Sequence, residues 1–536
     1  MPSLEADYVI VGAGSAGCVI ANRLSADPSV RVILLEAGTR DWNPWIHIPV
    51  GYFKTMHNPS VDWCFHTEKD DGIAGRSLAW PRGKVLGGSS SLNGLLYVRG
   101  QREDYDRWRQ MGNTGWAWDD VLPLFKRAED QERGGDEHHG VGGPLSVSNM
   151  RLSRPICDAW VEAAQAAGYP YNDDYNGAEQ EGVSYFQLTT KNGRRCSAAV
   201  AYLHPVRGRS NLTIVTQAHS AKVLFRDNRA SGVEYTDGFG DTQVACANAE
   251  VIVAAGAIGS PQLMMLSGIG DGRHLGEHGI ETRVDRPAVG KNLQDHLQAR
   301  LVYKCNEPTL NDEVRSLFDQ AKIALRYAVS RTGPMTMAAS LATAFLRTRP
   351  EVATPDIQFH IQPWSADSPG EGVHPFSAFT ASVCQLRPES RGEIRLKSAD
   401  HREHPAIHPN YLATEMDQQT IVDGVKVART VAGHAPLKGK IREEFRPGKD
   451  AQTDADLLQW VRDTATTIYH PTGTCRMGPD DDAVVDPRLR VRGVDGLRIA
   501  DCSIMPDIIS GNTNAPAIMI GEKASDMIIE DRRAHH

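Results

Sequence analysis

The sequence predicts an α/β protein in which a Rossmann-like domain is interleaved with an α+β domain that contains an antiparallel sheet. Three observations favour this fold class. Residues 7–36 carry a strand, helix, strand pattern around a glycine cluster, as in a βαβ unit. Residues 250–255 and 497–500 return to the same short apolar strand pattern. Between them, residues 301–460 change to alternating strands mixed with helical stretches.

The first βαβ unit is predicted from three consecutive segments. The run DYVIVG at residues 7–12 is mostly apolar and ends at glycines, as expected of a strand that is buried on both faces. Apolar positions then recur at helical spacing over residues 15–26. A second buried strand, RVILL at residues 31–35, ends at Glu36 and completes the unit.

Two segments between the first unit and residue 255 differ in character. Residues 42–91 are rich in Pro, Gly, Trp and His and have little periodicity, which predicts a long ordered excursion of the kind that often carries function. Residues 212–216, 222–225 and 232–235 alternate between apolar and polar positions. They predict a small meander, after which residues 250–255 return to the first sheet.

The second domain and the end of the chain are predicted from the same periodicities. Strands are expected at residues 357–361, 378–386 and 392–396, and helices at residues 312–329, 416–432 and 516–530.

The length of the chain predicts more than one lobe. With 536 residues, 40% of them hydrophobic, it is longer than a single hydrophobic core usually serves. We expect a discontinuous cofactor-binding domain at residues 1–153, 195–300 and 465–536. The substrate-binding domain is expected at residues 154–194 and 301–464.

Composition argues against several classes of partner. The net charge of −9 and the lack of long Lys or Arg blocks argue against nucleic acid. The nine cysteines are scattered without metal-binding spacing, so we expect reduced thiols and no metal site. No basic leader and no apolar stretch of about 18 residues is found, which predicts no transmembrane segment. These features favour a cytoplasmic protein, leave peripheral membrane association open, and make no prediction of oligomeric state.

A dinucleotide site is predicted at the first glycine cluster. Gly12, Gly14 and Gly17 form a G-x-G-x-x-G sequence between the first strand and its helix, where backbone N–H groups can approach a pyrophosphate. Glu36 ends the second strand and suits the hydroxyls of an unphosphorylated ribose. The pattern therefore favours FAD or NAD over NADP, without deciding between flavin and nicotinamide.

Four blocks of the sequence resemble the glucose-methanol-choline (GMC) oxidoreductase family. They are residues 7–38, residues 81–100 (PRGKVLGGSSSLNGLLYVRG), residues 256–270 (GAIGSPQLMMLSGIG) and the block from His470 onward (HPTGTCRMG). The resemblance covers essentially the whole chain, and with VGKNLQDH at residues 289–296 it is similar to the branch of bacterial choline-dehydrogenase-like and acceptor-linked alcohol dehydrogenases. It implies FAD as the cofactor and alcohol oxidation as the activity.

The resemblance also implies which residues contact FAD. The GGSSSLN loop would lie along the flavin, Val223 would meet the adenine through its backbone, and Ala255 and Asp501 would pass the diphosphate and ribityl chain. Some members tether FAD through a histidine where this chain has Leu92, so we expect non-covalent FAD. The expected set is Gly12, Gly14, Ser15, Ala16, Gly17, Glu36, Ala37, Arg82, Val85, Gly87, Gly88, Ser89, Asn93, Gly94, Leu95, Leu96, Val223, Ala255, Gly256, Asp501, Cys502, Thr513 and Asn514.

His470 and Asn512 are the expected catalytic pair, at positions similar to the family's His and His/Asn pair. An alcohol gives up a hydride readily only as its hydroxyl proton leaves, and histidine suits the removal of that proton near neutral pH. Asn512 would hold the same oxygen through its amide. Asn514 competes with Asn512 for this place, and we expect Asn514 on the flavin side.

Substrate contacts are expected at His360, Met337, Leu341 and Tyr469, with Met335 and Trp364 adding to an apolar, adaptable cavity. Choline-specific members carry a glutamate in the stretch E-A-G-G-F, whereas this chain has LATAF at residues 341–345. A cationic substrate would then lack its counter-charge. We therefore expect neutral primary alcohols, aliphatic or aryl.

The electron acceptor is left open by the sequence. We expect a dehydrogenase that passes electrons to a quinone or another acceptor, with an alcohol oxidase that uses O2 and releases H2O2 as the alternative. A hydroxynitrile-lyase-like enzyme with redox-silent FAD is the alternative from another class. A light-driven decarboxylase would lack the His and Asn pair, and a degenerate scaffold would have broken glycines, so both are disfavoured.

Overall fold

Two seven-stranded sheets form the framework of the protein. The structure, a computed structural model, describes residues 4–367 and 372–534. The strands in chain order are β1 (Leu4–Val11), β2 (Val32–Glu36), β3 (Phe65–His66), β4 (Ala79–Trp80), β5 (Glu129–Gln131), β6 (Leu145–Asn149), β7 (Gly182–Tyr185), β8 (Gln187–Leu188), β9 (Thr190–Lys191), β10 (Arg194–Arg195), β11 (Leu212–Thr216), β12 (His219–Arg226), β13 (Arg229–Thr236), β14 (Thr242–Val253), β15 (Ile269–Gly270), β16 (Val284–Asp285), β17 (Leu297–Cys305), β18 (Ala342–Leu346), β19 (Ile357–Gln362), β20 (Ala378–Gln385), β21 (Glu393–Arg395), β22 (Ala406–His408), β23 (Ile441–Arg446), β24 (Thr466–Thr467) and β25 (Leu497–Ile499). The helices are α1 (Ser15–Leu24), α2 (Pro44–His47), α3 (Tyr52–Thr55), α4 (Arg102–Gln110), α5 (Trp118–Ala128), α6 (Pro155–Ala166), α7 (Gly256–Leu266), α8 (Gly272–Glu277), α9 (Leu310–Glu313), α10 (Leu317–Ser330), α11 (Glu415–Ala432), α12 (Leu437–Lys440), α13 (Asp454–Thr464) and α14 (Asn514–Ala534).

The first sheet has a parallel centre, in the order β11-β2-β1-β14 with β25 beside β14. Val9 of β1 pairs with Ile33 on one side and with Val251 on the other, and Val251 pairs with Leu497. All four side chains are buried. A strand covered on both faces must be apolar throughout rather than alternating, and this explains the short continuous apolar runs in the sequence.

The predicted meander is correct for β12 and β13, which pair antiparallel and continue onto the first half of β14. It is wrong for β11, which pairs in parallel with β2 and forms the edge of the first sheet. The predicted strand at residues 392–396 is present as β21, but among the described residues it pairs only with β22. Periodicity specifies which face of a strand is buried, not which strand lies beside it.

The second sheet is antiparallel, in the order β23-β17-β20-β19-β18-β7 with β24 beside β17. Helix α11 packs on its central strand β20, where a Cβ at Gly424 would lie 2.8 Å from the Val383 side chain. Two of its strands, β7 and β24, come from parts of the sequence outside residues 297–446, which supply the other five, as expected of interleaved domains. The domain boundaries themselves stay a prediction.

Within the described residues, no helix combines the length and the apolar character needed to cross a membrane.

A buried carboxylate joins three helices beside the first sheet. Glu522 of α14 is fully buried, and its oxygens lie 2.6 Å from the Arg23 guanidinium of α1 and 2.8 Å from the Arg127 guanidinium of α5. The Tyr202 hydroxyl donates a third hydrogen bond to the same carboxylate over 3.0 Å. Three donors compensate the loss of water around this charge.

Glu522→Gln should therefore lower the free energy of unfolding by about 2 kcal/mol, because Arg23 loses its counter-charge and Arg127 is left with Asp526 as its ion-pair partner, while both guanidinium groups keep partial access to water. For a chain of this length the change corresponds to a fall in Tm of about 2 °C. Thermal unfolding followed by circular dichroism measures it. Glu530→Gln, at an exposed position of the same helix, is the control and should leave Tm unchanged; equal Tm values for both variants would contradict the role of Glu522.

Candidate active site

A cavity of about 360 Å³ lies between the two sheets. Its wall includes Gly12 after β1, Glu36 at the end of β2 and Ala254 after β14. The carboxyl ends of parallel strands are where ligands bind in sheets of this type. From the second sheet, His360 and Gln362 of β19 complete the wall.

Three helices begin at this cavity. Ser15 of α1, Gly256 of α7 and Asn514 of α14 are each the first residue of their helix and line the cavity wall. Helix N-termini carry unpaired N–H groups and a partial positive charge. A Cβ at Gly17 would lie 1.9 Å from the Gly12 carbonyl oxygen, so only glycine lets α1 approach the loop this closely. The arrangement suits a bound diphosphate.

Glu36 is held at the cavity wall by backbone donors. Its carboxylate accepts hydrogen bonds from the Ala13 N–H over 3.0 Å and from the Gly38 N–H over 2.8 Å. Burial raises the pKa of Glu36 to about 7. The carboxyl group can accept from, or when protonated donate to, ribose hydroxyls. Together with the helix N-termini, this donor and acceptor set fits the adenosine diphosphate part of FAD.

The loop at residues 87–95 packs directly on the glycine loop, since a Cβ at Gly88 would lie 2.7 Å from the Gly14 Cα. Arg195, which is buried, donates to the Asn93 side-chain oxygen over 2.7 Å, to the Asn93 carbonyl over 2.8 Å and to the Ser90 carbonyl over 3.1 Å. Burial lowers the pKa of Arg195 to about 9, so it remains a cation at neutral pH and fixes the shape of this loop.

His470 lies at the centre of a chain of hydrogen bonds. Its Nε2 is 3.2 Å from Asn512 Nδ2, and its Nδ1 is 3.0 Å from His296 Nδ1. His296 Nε2 is 2.9 Å from the Leu386 carbonyl oxygen. A carbonyl only accepts, so His296 must carry its proton on Nε2 and accept at Nδ1. His470 then donates from Nδ1, which leaves a lone pair on Nε2.

The backbone of His470 is held by the residue next to His296. Asp295 accepts from the His470 N–H over 2.7 Å and from the Thr467 hydroxyl over 2.6 Å. Tyr469 has φ +70°, a conformation that costs a non-glycine residue about 1–3 kcal/mol. The Tyr469 carbonyl accepts from the Arg82 guanidinium, and these contacts together keep the strained turn in place.

Burial keeps the histidines of the site neutral. It lowers the pKa of His470 well below its usual value, and the neighbouring His296, His360 and Arg82 lower it further. Burial also lowers the pKa of His296 to about 4 and that of His360 to about 3. Neutral imidazole is the form that accepts a proton.

The two asparagines that compete from sequence lie at different places. Asn512 is beside His470, and its Oδ1 accepts from Gln358 Nε2 over 3.3 Å. Asn514 Oδ1 instead accepts from the Ser15 hydroxyl over 2.7 Å, at the glycine loop.

One face of β19 supplies polar groups to the cavity. His360 and Gln362 line it, as does Trp364 just beyond the strand. In the described part of the chain, His360 Nδ1, Gln362 Oε1 and Trp364 Nε1 are buried without a hydrogen-bond partner, as is the Ser340 hydroxyl. Buried polar groups normally have partners, so these atoms are available to a ligand.

An arginine and several aromatic rings complete this side of the cavity. The Arg300 guanidinium is 5.9 Å from the centre of the Trp364 ring, and among the residues described it forms no ion pair. Burial lowers its pKa from the usual arginine value. Tyr52 and Phe53, from the predicted excursion, form the apolar part of the wall.

Most of the predicted site residues reach the cavity wall. Those that line it are Gly12, Gly14, Ser15, Ala16, Glu36, Ala37, Arg82, Gly88, Ser89, Asn93, Gly94, Leu95, Leu96, Ala255, Gly256, Asp501, Cys502, Thr513, Asn514, His360, Tyr469, His470 and Asn512.

The remaining predicted residues do not line it. Gly17 in α1, Val85, and Gly87 at the start of the 87–95 loop lie outside the cavity wall. The Val223 N–H donates to the Ser267 hydroxyl over 2.8 Å, and Ala218 and Ser220, at the start of β12, line the wall instead. Met337 and Leu341 are buried in the core, whereas Ala339 and Ser340 between them face the cavity. Which residue of each segment faces the cavity depends on the path of the backbone, and composition does not reveal that path.

Four residues with a part in the site were not singled out from the sequence: Asp295, His296, Arg195 and Arg300. Asp295 and His296 end the VGKNLQDH run, whose acid and histidine beside a strand were the available signal. Arg195 gave none, because it is far along the chain from the loop that it holds.

Comparison with known proteins agrees with this geometry. Residues 6–298 and residues 388–521 match the two parts of the GMC oxidoreductase family. The alcohol dehydrogenase [acceptor] of Pseudomonas putida is 44% identical over 98% of this chain and 95% of its own length. The oxygen-dependent choline dehydrogenase of Brucella ovis is 44% identical over 98% and 96%. A structure of Aspergillus oryzae formate oxidase, solved to study FAD modification, has a TM-score of 0.91 at 28% identity and covers 99% of both chains.

The family expectation from the sequence is thus confirmed, as are the fold class and the cofactor. The chain belongs to the GMC oxidoreductase family, and it is an FAD-dependent enzyme that acts on CH–OH donors.

Proposed function

We propose that this enzyme oxidises neutral primary alcohols, aliphatic or aryl, to aldehydes, with His470 as the general base and with a quinone or another acceptor taking the electrons. The observation that carries the proposal is the lone pair on His470 Nε2, 3.2 Å from the Asn512 amide nitrogen at the cavity wall. An alcohol oxygen that replaces this direct contact, within hydrogen-bond distance of both nitrogens, would donate its proton to His470 and accept from Asn512. FAD, when bound, supplies the hydride acceptor at flavin N5.

The protein groups divide the remaining work. His470 takes the hydroxyl proton while the C–H bond gives up a hydride, so the carbon–oxygen bond becomes a carbonyl. Asn512 holds the oxygen on which charge develops, and Gln358 orients the Asn512 amide through its Oδ1. Because the site is buried, these contacts act in a medium of low dielectric constant.

The cofactor is proposed to be held without a covalent bond. Glu36 and the N-termini of α1, α7 and α14 suit its adenosine diphosphate part, and the 87–95 loop, fixed by Arg195, suits its flavin part. Leu92, within this loop, lines the cavity but carries no nucleophile. The predicted cofactor residues that line the cavity are therefore the proposed contacts.

A neutral substrate is favoured by the charge of the cavity. Arg300 lines the wall without a counter-ion in the described part of the chain, so a quaternary ammonium group would meet a like charge. The apolar part of the wall, including Phe53, Met56 and Trp364, suits the chain or ring of an uncharged alcohol. The acceptor in the name of the Pseudomonas putida relative supports a dehydrogenase over an oxidase.

Anaerobic mixing of the yellow protein with 1-octanol or benzyl alcohol should bleach its visible flavin absorbance, followed by slow recovery of colour in air. His470→Ala should slow the bleaching about 10³-fold, because the hydroxyl proton loses its acceptor. Since burial lowers the pKa of His470, the rate should stay constant as the pH falls from 8 to about 6.5. Stopped-flow absorbance measures the bleaching rate of the unmodified protein, that of His470→Ala, and the dependence of the rate on pH.

His66→Ala, at an exposed histidine, is the matched control and should bleach at the rate of the unmodified protein. No bleaching with any alcohol would overturn the proposed reaction, while rapid recovery of colour in air would replace the dehydrogenase by an oxidase. Full activity of His470→Ala would overturn only the assignment of the base.

His296 is proposed as a positioning residue that sets the tautomer of His470. His296→Leu removes the acceptor from His470 Nδ1 and should lower kcat about 10²-fold, with little change in KM, because the proton can then move to Nε2. His296→Asn keeps an acceptor and should restore part of the rate. Equal losses in both variants, or a change confined to KM, would argue for a purely structural role.

Arg300 should exclude cationic alcohols. Arg300→Gln is expected to raise kcat/KM for choline relative to benzyl alcohol by about tenfold or more, because it removes a like charge from the cavity. Lys304→Gln, on the same strand but outside the cavity wall, is the control and should leave the ratio unchanged. Choline oxidised by the unmodified enzyme as efficiently as benzyl alcohol would contradict the proposal of a neutral substrate.

A further inference from the structure

Helix α10 presents an apolar surface to solvent. Leu317, Phe318, Leu325 and Val329 are 82%, 78%, 65% and 80% exposed. Elsewhere in the described part of the chain, exposed side chains of this size, such as Phe239 and Met416, are far apart in the sequence, except for the pair Trp42 and Trp45. Single exposed apolar side chains are common in proteins, whereas a contiguous group indicates an interaction surface.

The exposed side chains share one side of the helix. At about 100° per residue, the seven apolar positions of this surface fall within an arc of about 140°. Ile323 and Tyr327 point the opposite way, and Tyr327 is buried with its hydroxyl donating to the Gly193 carbonyl over 3.0 Å. The arc therefore faces away from the protein. Its members are Leu317, Phe318, Ala321, Ala324, Leu325, Ala328 and Val329, all exposed.

The charge around this surface differs from that of the whole protein. Residues 315–331 contain four basic side chains and one acid, whereas the chain has a net charge of −9. Lys322 and Arg326 follow the apolar arc directly along one of its edges. An apolar arc bordered by basic residues is typical of helices that lie in the interface of an anionic membrane.

Helix α10 is also close to the cavity that holds the proposed reaction. It packs on the turn at residues 334–336, which contacts the turn at residues 49–51. The chain then continues to Ala339 and Ser340, which line the cavity wall. Helix α2, packed on the turn at 49–51, carries the partly exposed Trp45, and tryptophan is enriched where membrane meets water.

We propose that α10 docks this enzyme onto the surface of an anionic lipid bilayer, with the apolar arc among the acyl chains and the basic residues at the headgroups. The docking rests on exposure and charge, and it holds whatever alcohol the enzyme oxidises. It would bring the cavity close to a phase in which apolar alcohols and quinones dissolve. A second copy of the chain fits this surface less well, because the same basic strip would face itself.

Sedimentation with vesicles tests the proposal. The FAD-loaded protein should bind vesicles of phosphatidylcholine with phosphatidylglycerol, and bind phosphatidylcholine alone much more weakly, with the bound fraction falling as salt is added. The double variant Phe318→Ser/Leu325→Ser should lower the partition constant about tenfold or more. Lys322→Gln/Arg326→Gln should lower it less and weaken its dependence on salt.

Phe239→Ser removes an exposed aromatic side chain elsewhere and should bind vesicles like the unmodified protein. All variants should oxidise alcohol normally with a soluble dye as acceptor, which confirms that they fold and bind FAD. Absence of vesicle binding by the unmodified protein, or equal binding by Phe318→Ser/Leu325→Ser, would overturn the proposal. A dimer in analytical ultracentrifugation that this double variant converts to monomer, without vesicle binding, would assign the surface to a second copy.

Discussion

The site depends on the direction of one hydrogen bond, from His296 to the Leu386 carbonyl oxygen. A carbonyl cannot donate, so this bond fixes the proton on His296 and, through His296, the proton on His470. The lone pair of His470 is left facing Asn512 and the cavity. Without that anchor, two imidazoles in contact could exchange tautomers, and His470 would present a lone pair to the cavity for only part of the time. The second sheet supplies the anchor, because Leu386 directly follows β20.

The rest of the architecture brings the proposed base, His470, to the cofactor site. Parallel strands end at one edge of the first sheet, and the helices that follow them begin there. Helix N-termini, with their free N–H groups, therefore collect on one side of the cavity. The strands of the second sheet close the opposite side with the polar face of β19. Burial between the sheets removes water, which keeps the pKa values of the histidines low and so keeps them neutral. The same burial would be costly for the charge of Arg195. The cost is offset because each of its three guanidinium nitrogens donates to an oxygen in the 87–95 loop or its surroundings.

Charge and polarity are distributed unevenly around this centre. A row of polar groups on β19, without hydrogen-bond partners among the described residues, and the cation of Arg300 lie on one side of the cavity. Aromatic rings from the predicted excursion supply apolar contact there. Outside, α10 exposes an apolar arc bordered by basic residues. The uncharged, partly apolar alcohol that we propose as substrate would suit both the cavity and the surface around α10. Its transfer from water costs little free energy, and it meets no like charge in the cavity.

The sequence by itself determined the first βαβ unit and the alternating strands of the second sheet, because each depends on residues that are adjacent or regularly spaced. FAD as the cofactor and His470 and Asn512 as candidates came from motifs that resemble those of the GMC family. The edge position of β11, the place of Val223 and the burial of Met337 and Leu341 were decided by the tertiary structure, since periodicity specifies a face and not a neighbour. His296, Asp295 and Arg195 act through contacts with residues far along the chain. The tautomer of His470 likewise depends on contacts between residues that are far apart along the chain. A proton's position follows from which atoms meet in space, and only the packing of the two sheets brings Leu386, His296 and His470 into line.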